Sequence, residues 1–143
     1  FPYIFKGTGF YPAVAEPVEL GTDLQMGDAL VRFVDQPHGG ITSLGMRIDE
    51  KGRGAAYAIH FNELTEEMRN LYDGVDVWIS DCLSRRPHPT HTHLHAVLQW
   101  GREMRVGKFY LSHMNNSMDY RTLLDELPDW AAPAHDGLEI DFR

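Results

Sequence analysis

The hydrophobic and polar positions divide the chain into two textures, a run of short strands followed by alternating helix and strand. Leu30, Val31, Phe33 and Val34 predict a strand over residues 28–35, ended by Gln36-Pro37-His38-Gly39-Gly40. Residues 41–48 and 55–61 predict two more, joined by the turn-rich Asp49-Glu50-Lys51-Gly52-Arg53-Gly54, so this half reads as antiparallel. From residue 65 the period lengthens. Residues 65–72 predict a helix, with Glu66 and Glu67 where the helix dipole favours acids and Asp73-Gly74 as its stop. The nearly continuous apolar run at 75–79 predicts a strand covered on both faces. Leu94, Val97, Leu98 and Gly101 recur at helical spacing and predict a helix over 92–104. A buried strand at 109–111, a short helix at 120–127 capped by Asp119 and a closing strand at 138–142 complete the series. Ahead of all of them, Pro2, Pro12 and Pro17 make residues 1–27 an irregular arm with short extended pieces. One domain is expected over residues 1–143.

The polar residues at the strand ends carry the candidate chemistry. Three apolar runs finish on a reactive group: Ile59 then His60, Ile79 then Ser80-Asp81, Leu111 then Ser112-His113, with His38 following the first strand. In α/β sheets ligands sit beyond the carboxyl ends of strands, so these positions converge on one candidate site. Asp81 by itself reads as a cap on the turn after its strand. A second concentration lies in Arg86-Pro87-His88-Pro89-Thr90-His91-Thr92-His93-Leu94-His95, which holds four of the chain's eight histidines. Imidazole binds metals and titrates near neutral pH, so the stretch nominates metal or acid/base work. A helix starting near Thr92 would set His91 and His95 four apart on one face, a chelate needing a third ligand from elsewhere.

Composition narrows the class. A net charge of −8 opposes binding to the phosphate backbone of nucleic acid, while small anions stay open if a metal supplies positive charge. The lone Cys82 excludes an internal disulfide framework and suits a reducing cytoplasm. No apolar run reaches the length of a bilayer span, so no membrane partner is expected. Phe1 opens the chain in place of Met, from which processing or truncation upstream is expected. Trp78, Trp100 and Trp130 read as core or interface, because no basic residues interleave with them.

Several motifs in order resemble the metallo-β-lactamase-fold hydrolases, in particular the phosphoribosyl cyclic phosphodiesterase group. They are His38-Gly39 with Thr42-Ser43-Leu44-Gly45-Met46-Arg47-Ile48, Gly74-Val75-Asp76 leading to Asp81-Cys82, Arg86-Pro87-His88-Pro89-Thr90-His91, Leu111-Ser112-His113-Met114, Met118-Asp119-Tyr120 and Asp136-Gly137-Leu138. The resemblance implies an α/β fold: the C-terminal half of an αββα sandwich over residues 28–143, a mixed sheet with helices on its outer face, the N-terminal half being absent. It implies up to two divalent ions, zinc or manganese, with His38 and His113 as ligands of different ions, His60 at the bridging position, and His91 as an acid/base or phosphate-orienting catalytic group. The implied reaction is hydrolysis of a small phosphorylated substrate, a phosphodiester foremost, by metal-bound hydroxide. Where the group carries a bridging Asp, this chain reads Tyr57-Ala58-Ile59-His60, and imidazole cannot bridge two ions through oxygens. The group's H-x-H-x-D-H motif belongs to the N-terminal half, and half a sandwich would expose an apolar sheet face. The expected partner is therefore the N-terminal half of the same protein or a second copy of this chain. Two other readings are a non-catalytic, degenerate relative kept as a binding or interaction module, and a single zinc held locally by His88, His91, His93 or His95.

Overall fold

Seven strands form one sheet in the order in which they occur along the chain, in a computed structural model that describes residues 2–141. β1 (Asp23–Met26), β2 (Ala29–His38), β3 (Ile41–Glu50) and β4 (Arg53–Ala58) pair antiparallel, as tight turns between neighbours require. β5 (Val77–Asp81), β6 (Lys108–Ser112) and β7 (Ala131–Pro133) then add in parallel. Each parallel step carries a helix in its crossover: α2 (Glu66–Tyr72), α3 (Leu94–Glu103) and α4 (Tyr120–Glu126). A first helix, α1 (Pro2–Lys6), opens the arm. This is the mixed sheet with helices that the sequence predicts.

Direction matters more than order for the site. β2 runs the same way as β4, because two antiparallel steps separate them, and β5 and β6 run parallel to β4. The carboxyl ends of β2, β4, β5 and β6 therefore share one edge of the sheet.

One face of the sheet is packed. Ala56, Trp78 and Phe109 lie in register across β4, β5 and β6 and are 0–1% exposed, beneath Met68 and Tyr72 of α2, Val97 of α3 and Leu123 of α4. Burying a side chain of this size stabilises the fold by roughly 1.5–3 kcal/mol. Gly101 lets α3 approach, since a Cβ there would stand 2.9 Å from the Phe109 ring and 3.0 Å from that of Trp130. On the other face Leu44, Ile48 and Tyr57 are 44%, 39% and 44% exposed. No helix among the described residues is long and apolar enough to cross a membrane.

The elements depart from the sequence expectation at particular places. β2 does not end at Asp35 but continues through Pro37, which pairs with Thr42. The Pro37 carbonyl accepts from Asn62 N at 3.0 Å, on the side away from β3, so the missing proline N–H also points away from that ladder. α3 begins at Leu94, with His93 as its N-cap, and leaves His91 outside it. Thr65 and Asp119 cap α2 and α4 through their side chains, accepting from Met68 N at 3.2 Å and Thr122 N at 2.8 Å. β1 and β7 are additions. β7 occupies the flank of β6, and residues 138–141 form no strand; Phe142 lies outside the described residues.

Candidate metal centre

Four imidazoles meet at the shared sheet edge, each delivered by a different strand end or loop. His38 closes β2, His60 stands two residues past β4, His113 directly follows β6, and His91 comes from the loop between β5 and α3. Ring centroids of His38 and His60 are 5.2 Å apart, of His60 and His113 4.5 Å, and of His38 and His91 4.8 Å. His91 and His113 stack at 4.7 Å with their planes 17° apart. The expected positions at the strand ends are thus brought together.

The residue that organises them is Asp81, the last of β5 and fully buried. Its Oδ2 lies 2.7 Å from His91 Nδ1 and accepts the His60 backbone N–H at 2.9 Å. Its backbone carbonyl accepts a short hydrogen bond from Thr92 Oγ1, which ties the histidine loop to the strand. Asp81 Oδ1 is buried without a hydrogen-bond partner, and His113 Nδ1 is 3.9 Å away. The sequence places Asp81 among the converging strand ends but, taken singly, reads it as a turn cap. The available signal was a carboxylate ending a run that is buried on both faces, where a solvated cap has no water to face.

Backbone conformation aims the rings. His60 and His113 have φ of 62° and 56°, left-handed values that turn the chain sharply out of the ladder. Asn, Asp and His visit this region several times more often than other non-glycine residues. The His60 peptide is held on both sides: its N–H by Asp81, and its carbonyl by Ser43 Oγ at 2.7 Å. Gly39 has φ 64°, and a Cβ there would meet Thr90 Cγ2 at 2.7 Å, so only glycine lets β2 and the histidine loop approach this closely. Across that contact His38 Nδ1 lies 2.6 Å from the Thr90 carbonyl, to which it donates.

Protonation and ligation follow from these contacts. His38 and His91 each have Nδ1 engaged, by a carbonyl and a carboxylate, which leaves Nε2 to face the cluster, the usual arrangement of a ligating or proton-transferring histidine. Desolvation, and then the neighbouring His113, His38 and His91 rings, hold the His60 pKa below its ordinary value, against the opposing charge of Asp81. Two ligand-competent groups exist among the described residues: His38, His60 and His91, and Asp81, His91 and His113, each with donor atoms within 4.8 Å of one another. A divalent cation fits this donor set, because converging imidazole nitrogens and one orphaned buried carboxylate oxygen are what such an ion satisfies. The local alternative is not assembled: His88 tilts 5.4 Å from His91, while His93 and His95 enter neither group.

A mixed sheet with histidines gathered at its carboxyl edge defines the chain as a metallo-β-lactamase fold. The chain belongs to the beta-lactamase superfamily, whose domain model matches residues 1–114. A diphosphatase from the PhnP family is 25% identical, with a TM-score of 0.77 over 85% of this chain and 46% of its own. YhfI from Bacillus subtilis, a metallo-beta-lactamase fold protein, is 16% identical, with a TM-score of 0.74 over 90% of this chain and 56% of its own. Zn(2+)-bound PqqB from Methylobacterium extorquens is 16% identical, with a TM-score of 0.71 over 98% of this chain and 60% of its own. The chain thus spans about half the length of the structures it matches. No curated protein matches it in sequence.

Proposed function

We propose that the chain carries half of the active site of a metal-dependent hydrolase for a small phosphorylated substrate, a phosphodiester or a related phosphoanhydride. The observation that supports it is the Asp81–His91 pair set beside three further imidazoles on the sheet edge. Likeness to a diphosphatase at 25% identity points to the same substrate class. His38, His60 and His113 are the proposed metal ligands, for zinc or manganese. A divalent ion bound there would polarise a phosphoryl oxygen and offset the charge that develops on it.

The chain's own residues do the rest. His91, with Nδ1 fixed on Asp81, presents Nε2 to the substrate phosphate, where it can give a proton to the leaving oxygen. His88, whose ring lies 5.4 Å from that of His91, sets a further imidazole beside it. The exposed apolar residues Leu44, Ile48 and Tyr57 support a sheet face covered in the working protein by an N-terminal half or a second copy. Cytoplasmic residence goes with the buried, free Cys82.

Turnover of bis(p-nitrophenyl) phosphate with added zinc or manganese tests the reading. His91→Ala should lower the rate by about 10²-fold or more while leaving the metal bound. Metal bound with no turnover of any phosphoester would instead support a non-catalytic binding module.

A further inference from the structure

We infer that the cluster seats a single divalent ion of the zinc class, with His60 among its ligands, and discriminates against manganese; this rests on the metal-dependent reading above.

The geometry makes His60 the hub. Its ring is 5.2 Å from that of His38, 4.5 Å from that of His113 and 5.4 Å from that of His91. Paired ions in hydrolase sites lie about 3.5–4 Å apart and share an oxygen donor between them. An imidazole turns one nitrogen lone pair toward the site, so at this position it serves one ion and shares none.

No other residue of the cluster replaces a bridge. Asp81 is its one carboxylate; Oδ2 already takes His91 Nδ1 and the His60 N–H, and Oδ1 sits at the buried end beside His113. His91 belongs to both ligand-competent groups, so an ion in each would compete for its one nitrogen beyond the bond to Asp81; with that nitrogen given to the substrate phosphate, His38, His60 and His113 are left to serve one ion. A second dication would also add two positive charges to a cluster whose one carboxylate among the described residues is Asp81.

Donor chemistry sets the kind of ion. Imidazoles suit zinc, copper and nickel, whereas manganese prefers carboxylate, carbonyl and water oxygens. With four histidines and a single carboxylate of which one oxygen is already taken, the cluster is matched to the first class.

Calorimetric titration of the chain with zinc and then manganese, with elemental analysis of the dialysed protein, tests the inference without recourse to activity. One zinc per chain is expected, with manganese at least tenfold weaker. His60→Asn, which keeps a side chain that tolerates the left-handed backbone, should weaken zinc at least tenfold with an unchanged unfolding curve. His60→Asp should admit a second ion and tighten manganese at least tenfold. Two zinc ions per unmodified chain, manganese as tight as zinc, or His60→Asn with undiminished affinity would each overturn the inference and leave the hydrolase reading standing. No zinc at all would remove that reading, and the inference with it.

Discussion

Gly45 lies directly beneath Tyr72: a Cβ added to the glycine would fall 2.0 Å from the tyrosine Oη and 2.7 Å from Gln36 Cδ. Gln36 and Tyr72 are both fully buried, and Gln36 Nε2 donates to Tyr72 Oη at 3.4 Å. Gln36 stands two residues before His38, so this packing also supports the end of β2 that carries the imidazole.

Gly45→Ala should therefore destabilise the protein by about 1–3 kcal/mol, the usual cost of forcing atoms into a filled core. A urea unfolding curve gives the answer. A shift within a few tenths of a kcal/mol would show that α2 moves away from the sheet without penalty.

Asp81→Asn should loosen the site from below. The amide oxygen accepts from His91 and the His60 N–H without the charge that strengthens both bonds, and its NH2 would be buried beside His113, so the His91 Nδ1–H proton should lose its low-field, slowly exchanging NMR signal. A stability loss of about 1–3 kcal/mol accompanies the disrupted buried bonds. An unchanged His91 signal would mean that the ring is held by its other neighbours.

Asp49 carries a pH-dependent contribution to stability. Burial alone would raise its pKa, but Arg47, at 2.9 Å and 3.0 Å, and Arg32, at 2.7 Å, outweigh burial and hold the carboxyl below its ordinary value. A depressed carboxylate stabilises the fold above its unfolded pKa, about 3.9, and that contribution is lost as pH falls through the folded value. The Asp49→Asn variant should be less stable by about 0.5–1 kcal/mol at pH 7, discounted for partial exposure, with the gap to the parent closing as pH falls through the depressed folded value. Urea midpoints of both proteins across that range would expose a gap that fails to close.

Cys82 should be chemically silent in the folded chain. It is fully buried, and desolvation, with the charge of Asp81 adding to it and Arg85 opposing, pushes its thiol pKa up to about 12. Iodoacetamide at pH 8 should leave the native mass unchanged for hours and alkylate the urea-unfolded chain. Rapid native labelling would show that the region opens.

Much of the architecture was legible because periodicity and burial agree. The continuous apolar run now in β5 and the spaced apolar face of α3 are each what a covered strand and a packed helix impose on a sequence. β7 was not legible: Ala131, Ala132 and Pro133 are too few and too small to show an alternation. The strand expected at 138–142 failed over its described part for a tertiary reason, since β7 already fills the place beside β6. At the site, His38, His60, Asp81 and His113 could all be read from strand ends, whereas the organising role of the Asp81 carboxylate could not. Only the sheet's pairing shows that its carboxylate has no water to turn to.

The sheet edge also fixes when the site comes into being. His38 and His113 are separated by most of the described chain, and between them β2, β3, β4, β5 and β6 must all find their neighbours. Pairings across such sequence separations form late, because loop closure costs entropy before any contact rewards it. An ion that needs both ends of this edge is captured only when the last of these strands has docked. A zinc-sensitive dye followed during refolding would therefore act as a clock for completion of the sheet.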